Sequence, residues 1–260
     1  MNGGHTHIEC ISVCVDYADF LKAVAPHNRR LLDRWIVVTR ARDEETRKVC
    51  QDNSIEIALT EDFDLEPTFA KAHGINVGLR RCRGDGWLLH LDADIVLPLD
   101  FHHCLEDMQL RRENIYGCQR LCVPGWAAWQ ELQRQGLYSR QSGWLVEYRN
   151  RPQGCYVGGV PAGLGIGYAP IGFFQLWNGA ETLSWGSARK WYPFRHSGAA
   201  RTDSQFAWQW DRRNRLMIPE LLVFHLETST PGKMGENWKG RKSPRFGPGQ
   251  KQPGGGMGYE

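Results

Sequence analysis

Two carboxylates spaced two residues apart end an apolar run in the first half of the chain. Asp92 and Asp94 follow residues 87–91, and Pro98 lies just beyond them. The run predicts a buried strand, where an unpaired carboxylate would cost on the order of several kcal/mol. Two such carboxylates suit a hard divalent cation that holds phosphate oxygens. Since open α/β sheets bind ligands where their strands end, we expect a ligand site here. The alternative is a solvated turn after an edge strand.

The segments around this strand alternate between strand and helix patterns. Residues 8–15, 34–39 and 54–59 read as strands, with amphipathic helices between them. This order predicts an α/β fold: a single Rossmann-like, mostly parallel sheet flanked by helices. Further expected elements are helices over 68–80, 101–110 and 126–135, strands over 114–121, 166–178 and 217–227, and a helix that begins at Thr202 or Asp203.

The composition limits the class of protein. The chain has 260 residues, enough for a sizeable core. Its net charge of +3 permits an anionic ligand without requiring nucleic acid. Its 8 cysteines lack zinc-site spacing, and the polar start is not a signal peptide, so we expect reduced thiols and a cytoplasmic protein. No apolar run approaches the roughly 20 residues of a membrane span, so no membrane partner is expected.

The segment Leu91-Asp92-Ala93-Asp94 is a DxD element. With residues 69–79 upstream and 84–87 leading into the strand, it resembles the GT-A family of nucleotide-sugar glycosyltransferases. The resemblance implies a GT-A domain over 1–246, with a nucleotide-binding half (8–121) and an acceptor-binding half (122–246). It also implies a UDP-sugar donor with Mn²⁺ or Mg²⁺. The Gly- and Pro-rich residues 247–260 are expected to be disordered.

The resemblance also implies roles for single residues. Asp92, Asp94 and His225, at the end of a late strand, would hold the metal, because neutral imidazole suits Mn²⁺. Asp203 would be the general base of an inverting enzyme, or would position substrate in a retaining one. The alternatives are a histidine satisfied within the core and an ordinary helix-capping aspartate.

The donor nucleotide and its sugar would contact residues at the strand ends, one helix and the tail. For several of these the alternative is a core or solvated side chain. The expected contacts are Val15, Tyr17, Arg40, Asp43, Lys71, Asn76, Asp92, Gln175, Trp177, Asn178, Lys239, Arg241 and Lys242.

The sequence says less about the acceptor than about the donor. The compact form without a membrane anchor, with the basic tail Asn237-Trp238-Lys239-Gly240-Arg241-Lys242, resembles stand-alone phage enzymes that add sugars to hydroxymethylated pyrimidines in DNA. The basic, tryptophan-rich second half suits such an acceptor, since phosphates meet Lys and Arg and an extruded base stacks on an aromatic ring. A saccharide or protein acceptor is the alternative, as is a non-catalytic module that holds nucleic acid or sugar. A nucleotidyltransferase is disfavoured, because residues 15–19 are not a Gly-rich phosphate loop.

Overall fold

The computed structural model describes residues 6–63, 69–136, 151–158, 168–180, 190–193, 199–228 and 245–247. The helices are α1 (Ala18–Asn28), α2 (Glu44–Asp52), α3 (Lys71–Leu79), α4 (Phe101–Met108), α5 (Gly125–Gln135) and α6 (Ala199–Ala207). The strands are β1 (Ile8–Val13), β2 (Arg34–Thr39), β3 (Glu56–Leu59), β4 (Trp87–Leu91), β5 (Ile95–Val96), β6 (Ile115–Pro124), β7 (Tyr156–Val157), β8 (Phe174–Asn178) and β9 (Arg215–Glu227).

All of these strands belong to one sheet of order β3-β2-β1-β4-β8-β6-β9-β5, with β7 beside β6. β3, β2, β1 and β4 are parallel, whereas β8 runs antiparallel to β4 and to β6. β6 and β9 are again parallel, and β5 is antiparallel to β9. The predicted α/β class, a sheet flanked by helices, is confirmed.

The path of the sheet explains how the acidic segment is placed. β4 and β5 are separated in sequence only by residues 92–94, yet β4 lies inside the sheet and β5 pairs with β9 at the end of the strand order. The sheet must therefore curl, so that its far edge returns to the end of β4. The acidic turn joins the two.

The inner parallel strands β1, β2 and β4 are buried on both faces, as a continuous apolar pattern predicts. Cys10 and Leu89 belong to one hydrophobic cluster, while their neighbours Ile11 and Leu88 belong to another. The first cluster includes residues of α1 and α2, and the second includes residues of α3 and α6. Helices thus cover both faces, and the ends of the strands are left for a site.

Two glycines let α3 lie directly on the sheet. A Cβ at Gly78 would come within 2.4 Å of Ile11, and one at Gly74 within 2.7 Å of Phe63. Neither distance is possible in a close-packed interior without displacement. The close approach places Lys71, the first residue of α3, beside the acidic turn.

Two expected elements differ from the observed ones. The strand expected over 166–178 begins at Phe174, and 171–173 form a turn that leads into it. The helix expected to begin at Thr202 or Asp203 begins at Ala199, so Asp203 is not its cap. Ala199 and Ala200 are strong helix formers and extend the helix toward its N-terminus.

All eight cysteines are unpaired, and seven of them are buried. Among the residues with a described structure, none of the helices combines the length and the apolar character needed to cross a membrane.

Asn28 fixes the segment that follows the acidic turn, and its removal should destabilise the fold. Its buried amide donates to the Ile95 carbonyl (2.8 Å) and accepts from the Leu97 N–H (3.0 Å). Asn28→Ala leaves both backbone groups without a partner, so we expect a loss of about 2–4 kcal/mol in the free energy of unfolding. Urea denaturation measures it.

The matched control is Asn53→Ala. This part-buried amide donates to a single helical carbonyl, that of Val49 (2.8 Å). We expect it to cost roughly 1 kcal/mol or less. Equal losses in the two variants would show that Asn28 does not have the anchoring role inferred here.

Candidate active site

Backbone hydrogen bonds fix the acidic turn between β4 and β5. The Asp92 N–H donates to the Phe173 carbonyl (3.2 Å), and the Ile95 N–H donates to the Asp92 carbonyl (3.2 Å). The Leu226 N–H donates to the Asp94 carbonyl (2.9 Å). The turn is therefore attached both to the segment before β8 and to β9, and its two carboxylates have defined positions.

Asp94 is buried between Tyr17 and His225. The Tyr17 hydroxyl donates to Asp94 Oδ2 (2.9 Å), and His225 Nε2 lies 3.5 Å from the same oxygen. Burial would raise the pKa of Asp94, but the charge of His225 and the two hydrogen bonds lower it. Burial opposes the charge on His225, but Asp94 raises the His225 pKa to about 10. Asp94 Oδ1 is buried with no hydrogen-bond partner among the described residues, so it can accept one more ligand.

Lys71 connects Asp92 with Asp203. Its Nζ lies 2.7 Å from Asp92 Oδ1 and 4.0 Å from Asp203 Oδ2. Burial raises the pKa of Asp92 to about 6, Lys71 opposes this rise, and Asp94 and Asp203 add to it. Burial disfavours the Lys71 cation, yet the surrounding carboxylates raise its pKa. Lys71 therefore stays charged and compensates the acidic cluster.

Asp203 lies within α6 and faces the turn before β8. A Cβ at Gly172 would lie 2.0 Å from Asp203 Oδ2, so only glycine leaves room for this carboxylate. Burial raises the pKa of Asp203, with Lys71 and a hydrogen bond from the Gly172 backbone opposing the rise. Asp203 Oδ1 is buried and has no partner in the described part of the chain. It is thus available to a substrate group.

Replacing Lys71 should destabilise the folded state strongly. In Lys71→Met, Asp92 and Asp203 lose the cation between them, and an uncompensated buried charge costs about 3–5 kcal/mol. We expect this loss in the free energy of unfolding at pH 7, measured by chemical denaturation. Because Lys71 lowers the pKa of Asp92, that pKa lies above its wild-type value of about 6 in the variant, so the loss should already shrink as the pH falls toward 6, where protonation removes the uncompensated charge.

Lys48→Met is the control for this variant. Lys48 forms an exposed pair with Asp52 one helical turn away (3.0 Å), and such pairs contribute about 0.5 kcal/mol or less. Equal and small losses in both variants, at any pH, would contradict the role given to Lys71.

The residues around Asp94 fit a divalent cation in part. Asp94 offers its unpartnered Oδ1 and His225 lies beside it, and carboxylate with imidazole suits Mn²⁺ once His225, whose pKa is raised to about 10, has lost its proton as the cation binds. Asp92 instead pairs with Lys71. In the described ranges, the one group of three potential ligand atoms within 4.8 Å of one another belongs to Cys122, His225 and Glu227. For Asp92 to bind the cation as a further ligand, it would have to give up its ion pair with Lys71.

The second ring nitrogen of His225 faces Glu227. His225 Nδ1 lies 3.7 Å from Glu227 Oε1, and the Tyr156 hydroxyl donates to Glu227 Oε2 (2.7 Å). A carboxylate that accepts the N–H of an imidazole can orient the ring for metal binding through its other nitrogen, and Glu227 would need to move closer to His225 Nδ1 to do so. Sequence reasoning missed Glu227 and Tyr156. The spacing of His225 and Glu227 was an available signal, because residues two apart share one face of a strand.

The residues expected to bind the nucleotide do lie at the ends of β1 and β2, but most of them form contacts within the protein. Asp43 caps α2, accepting from the Thr46 N–H (3.1 Å), and also accepts from the Asp16 N–H (2.7 Å). Arg40 is buried, with its guanidinium 5.5 Å from the centre of the Phe63 ring, and Val15 is buried. Tyr17, as described above, holds Asp94. Contact of these residues with a nucleotide stays a prediction.

Several residues expected to contact the donor nucleotide (Asn76) or its sugar (Gln175 and Trp177) form hydrogen bonds or packing contacts within the protein instead. The Asn76 amide exchanges two hydrogen bonds with the Tyr192 backbone (2.9 and 3.0 Å). Gln175 donates to the Asp203 carbonyl (3.0 Å) and accepts from the Tyr192 hydroxyl. Trp177 is fully buried and packs against aromatic rings of the core. Gln175 thus positions Asp203, whereas Asn76 and Trp177 hold the surrounding structure.

The remaining expected contacts are Asn178 and the basic tail. Asn178 is buried at the end of β8 and accepts from the Ala180 N–H (3.1 Å). Lys239, Arg241 and Lys242 lie outside the described residues. Their binding of the donor diphosphate stays a prediction.

Comparison with known proteins gives structural likenesses only. No protein-family model matches the chain, and no curated protein sequence does either. One similar structure is glucosyl-3-phosphoglycerate synthase from Mycobacterium tuberculosis in complex with Mn²⁺, UDP and glucosyl-3-phosphoglycerate (12% identity, TM-score 0.46, 85% of this chain and 72% of that one). Another is mannosyl-3-phosphoglycerate synthase from Rubrobacter xylanophilus (17% identity, TM-score 0.36, 44% of this chain and 40% of that one). At such low identities and scores, the chemistry of this chain is inferred from its own residues.

Proposed function

We propose that the chain is a metal-dependent glycosyltransferase that moves a sugar from a UDP-sugar to an acceptor hydroxyl. The observation that carries this proposal is the arrangement around Asp94. A buried carboxylate with an unpartnered oxygen lies next to His225, at the end of β4. Ligands of open α/β sheets bind at such strand ends. Two further carboxylates, those of Asp92 and Asp203, lie 2.7 and 4.0 Å from Lys71 Nζ.

Asp94 and His225 would hold Mn²⁺ or Mg²⁺. Asp92 would become a third ligand when its ion pair with Lys71 breaks. When bound, the cation neutralises the charge that develops on the diphosphate leaving group. Tyr17 fixes the orientation of the Asp94 carboxylate by donating to Oδ2. Glu227 Oε1 lies 3.7 Å from His225 Nδ1, so a carboxylate faces the ring nitrogen opposite the one that faces Asp94. Both supporting residues are buried, which keeps the ligands in one geometry.

Asp203 would act on the acceptor. Its unpartnered Oδ1 is ready to accept a hydrogen bond from an acceptor hydroxyl. In an inverting reaction it would take the proton of that hydroxyl as the hydroxyl oxygen attacks C1 of the sugar. In a retaining reaction it would position the acceptor or the sugar. Its raised pKa favours accepting the proton in the inverting case.

The test is release of UDP from a panel of UDP-sugars by the wild-type chain, with Mn²⁺ or with EDTA. Glycosyltransferases also transfer sugars slowly to water, so no acceptor needs to be known beforehand. Release from one UDP-sugar that depends on Mn²⁺ supports the proposal. Failure to bind or cleave any member of the panel would favour the non-catalytic module.

DNA carrying hydroxymethylated pyrimidines is the acceptor that we propose from the basic, tryptophan-rich sequence. Within the described residues, Trp129, Trp177 and Trp210 are buried, whereas Trp208 is 45% exposed and open to stacking. Transfer to hydroxymethylated but not to unmodified DNA, falling steeply with added salt, is the expected result. Equal products on both DNAs would exclude this acceptor, and transfer insensitive to salt would favour a neutral saccharide or a protein.

A further inference from the structure

Arg120 is a buried cation that the proposed mechanism does not use. It lies on β6 and is 7% exposed, and its Nε is buried without a hydrogen-bond partner. Across the described ranges, none of the carboxylates forms an ion pair with it. A buried charge without a counter-ion is costly, and it persists where a ligand supplies the missing charge.

The guanidinium of Arg120 lies against the candidate active site. Its central carbon is 4.7 Å from the centre of the Phe173 ring, and the His225 ring stacks on Phe173 at 6.5 Å. The Phe173 carbonyl in turn holds the Asp92 N–H. A Cβ at Gly158 would lie 2.4 Å from Arg120 Nε, so the backbone packs tightly against one side of the guanidinium. These contacts hold the guanidinium against Phe173, whose ring and carbonyl contact His225 and the acidic turn.

We propose that Arg120 binds a phosphate or carboxylate group carried by the acceptor, an inference that rests on the proposed function. A planar guanidinium matches such an oxyanion with two parallel hydrogen bonds. The expected donor site lies at the ends of β1, β2 and β4. Arg120 lies on β6, which β8 separates from β4 in the strand order, so its guanidinium is set apart from those strand ends and is left for the acceptor.

The first test compares the wild-type chain with Arg120→Met, using inorganic phosphate as the probe. Phosphate should raise the melting temperature of the wild type, because a ligand that binds only the folded state stabilises it. In Arg120→Met, phosphate affinity should fall by roughly tenfold to a hundredfold. Without phosphate this variant should melt at the same temperature as the wild type or higher, since it lacks the unpaired charge.

The control is Arg112→Met, because Arg112 is exposed in the loop before β6. It should keep the response of the wild type. Arg120→Lys keeps the charge but not the planar fork, so it should retain part of the phosphate affinity. If Arg120→Met does not fold, Arg120→Lys takes its place in the comparison. Equal phosphate affinity in the wild type and both Arg120 variants would overturn the oxyanion site.

The second test repeats the phosphate titration with saturating UDP and Mg²⁺. An unchanged phosphate response assigns Arg120 to the acceptor. Loss of the response would show that the donor diphosphate occupies Arg120, and would overturn the acceptor assignment. If UDP fails to bind at all, the proposed function fails, while an Arg120-dependent phosphate response would still support an oxyanion site.

Discussion

Asp94→Asn is expected to lower metal-dependent turnover of the UDP-sugar by about a thousandfold. A bound cation stabilises the leaving diphosphate by several kcal/mol, and roughly 4 kcal/mol corresponds to about three factors of ten in rate. The amide keeps the shape of the side chain but lacks the charge that a divalent cation requires. Asp94 is also where Tyr17 and His225 converge, so no neighbouring group replaces it. Initial rates of UDP release, measured across Mn²⁺ concentrations, give the effect.

Asp85→Asn is the matched control. Asp85 precedes β4 as Asp94 follows it, but its side chain is 63% exposed. It should keep the rate and Mn²⁺ dependence of the wild type. Turnover in Asp94→Asn within tenfold of the wild type, with the same Mn²⁺ dependence, would mean that another group holds the cation.

Asp203→Asn is expected to lower kcat by about a hundredfold to ten thousandfold, the usual contribution of a general base. Binding of UDP should stay within about twofold of the wild type, because Asp203 faces Lys71 and Gly172 rather than Asp94. The close approach of Gly172 leaves room for a group of the same size, so Asn should fold normally. Single-turnover rates and UDP calorimetry separate the two quantities.

Asp211→Asn provides the comparison for this variant. Asp211 follows α6, and its side chain is 74% exposed. Its kcat should equal that of the wild type. A raised KM with unchanged kcat in Asp203→Asn would show that Asp203 binds the acceptor without taking part in the chemistry.

The parts of the fold that were predictable depend on local pattern. Apolar and β-branched runs with polar breaks located β1, β2 and β4, and their alternation with helices implied the parallel sheet. The acidic turn was conspicuous because carboxylates follow a buried strand. The pairing of Asp94 with His225 was expected from the resemblance to a family, since these residues are far apart in sequence.

The supporting network was not predictable, because it depends on how the sheet curls. β5 follows β4 closely in sequence yet pairs with β9, and this pairing brings His225 beside Asp94. The Lys71–Asp92 contact depends on the close approach of α3, which two glycines permit. Neither arrangement has a local sequence pattern that specifies it. The sequence offers only spacing signals, such as the two-residue separation that puts His225 and Glu227 on one face of a strand.

Calorimetric titration of UDP into the wild-type chain, with Mn²⁺ and then with EDTA, tests the proposed donor site most directly. Since Asp94 and His225 would bind UDP through the cation, we expect affinity at least roughly tenfold higher with Mn²⁺ than with EDTA. Equal affinity under both conditions, or no binding under either, would contradict a metal-dependent nucleotide-sugar site at the end of β4.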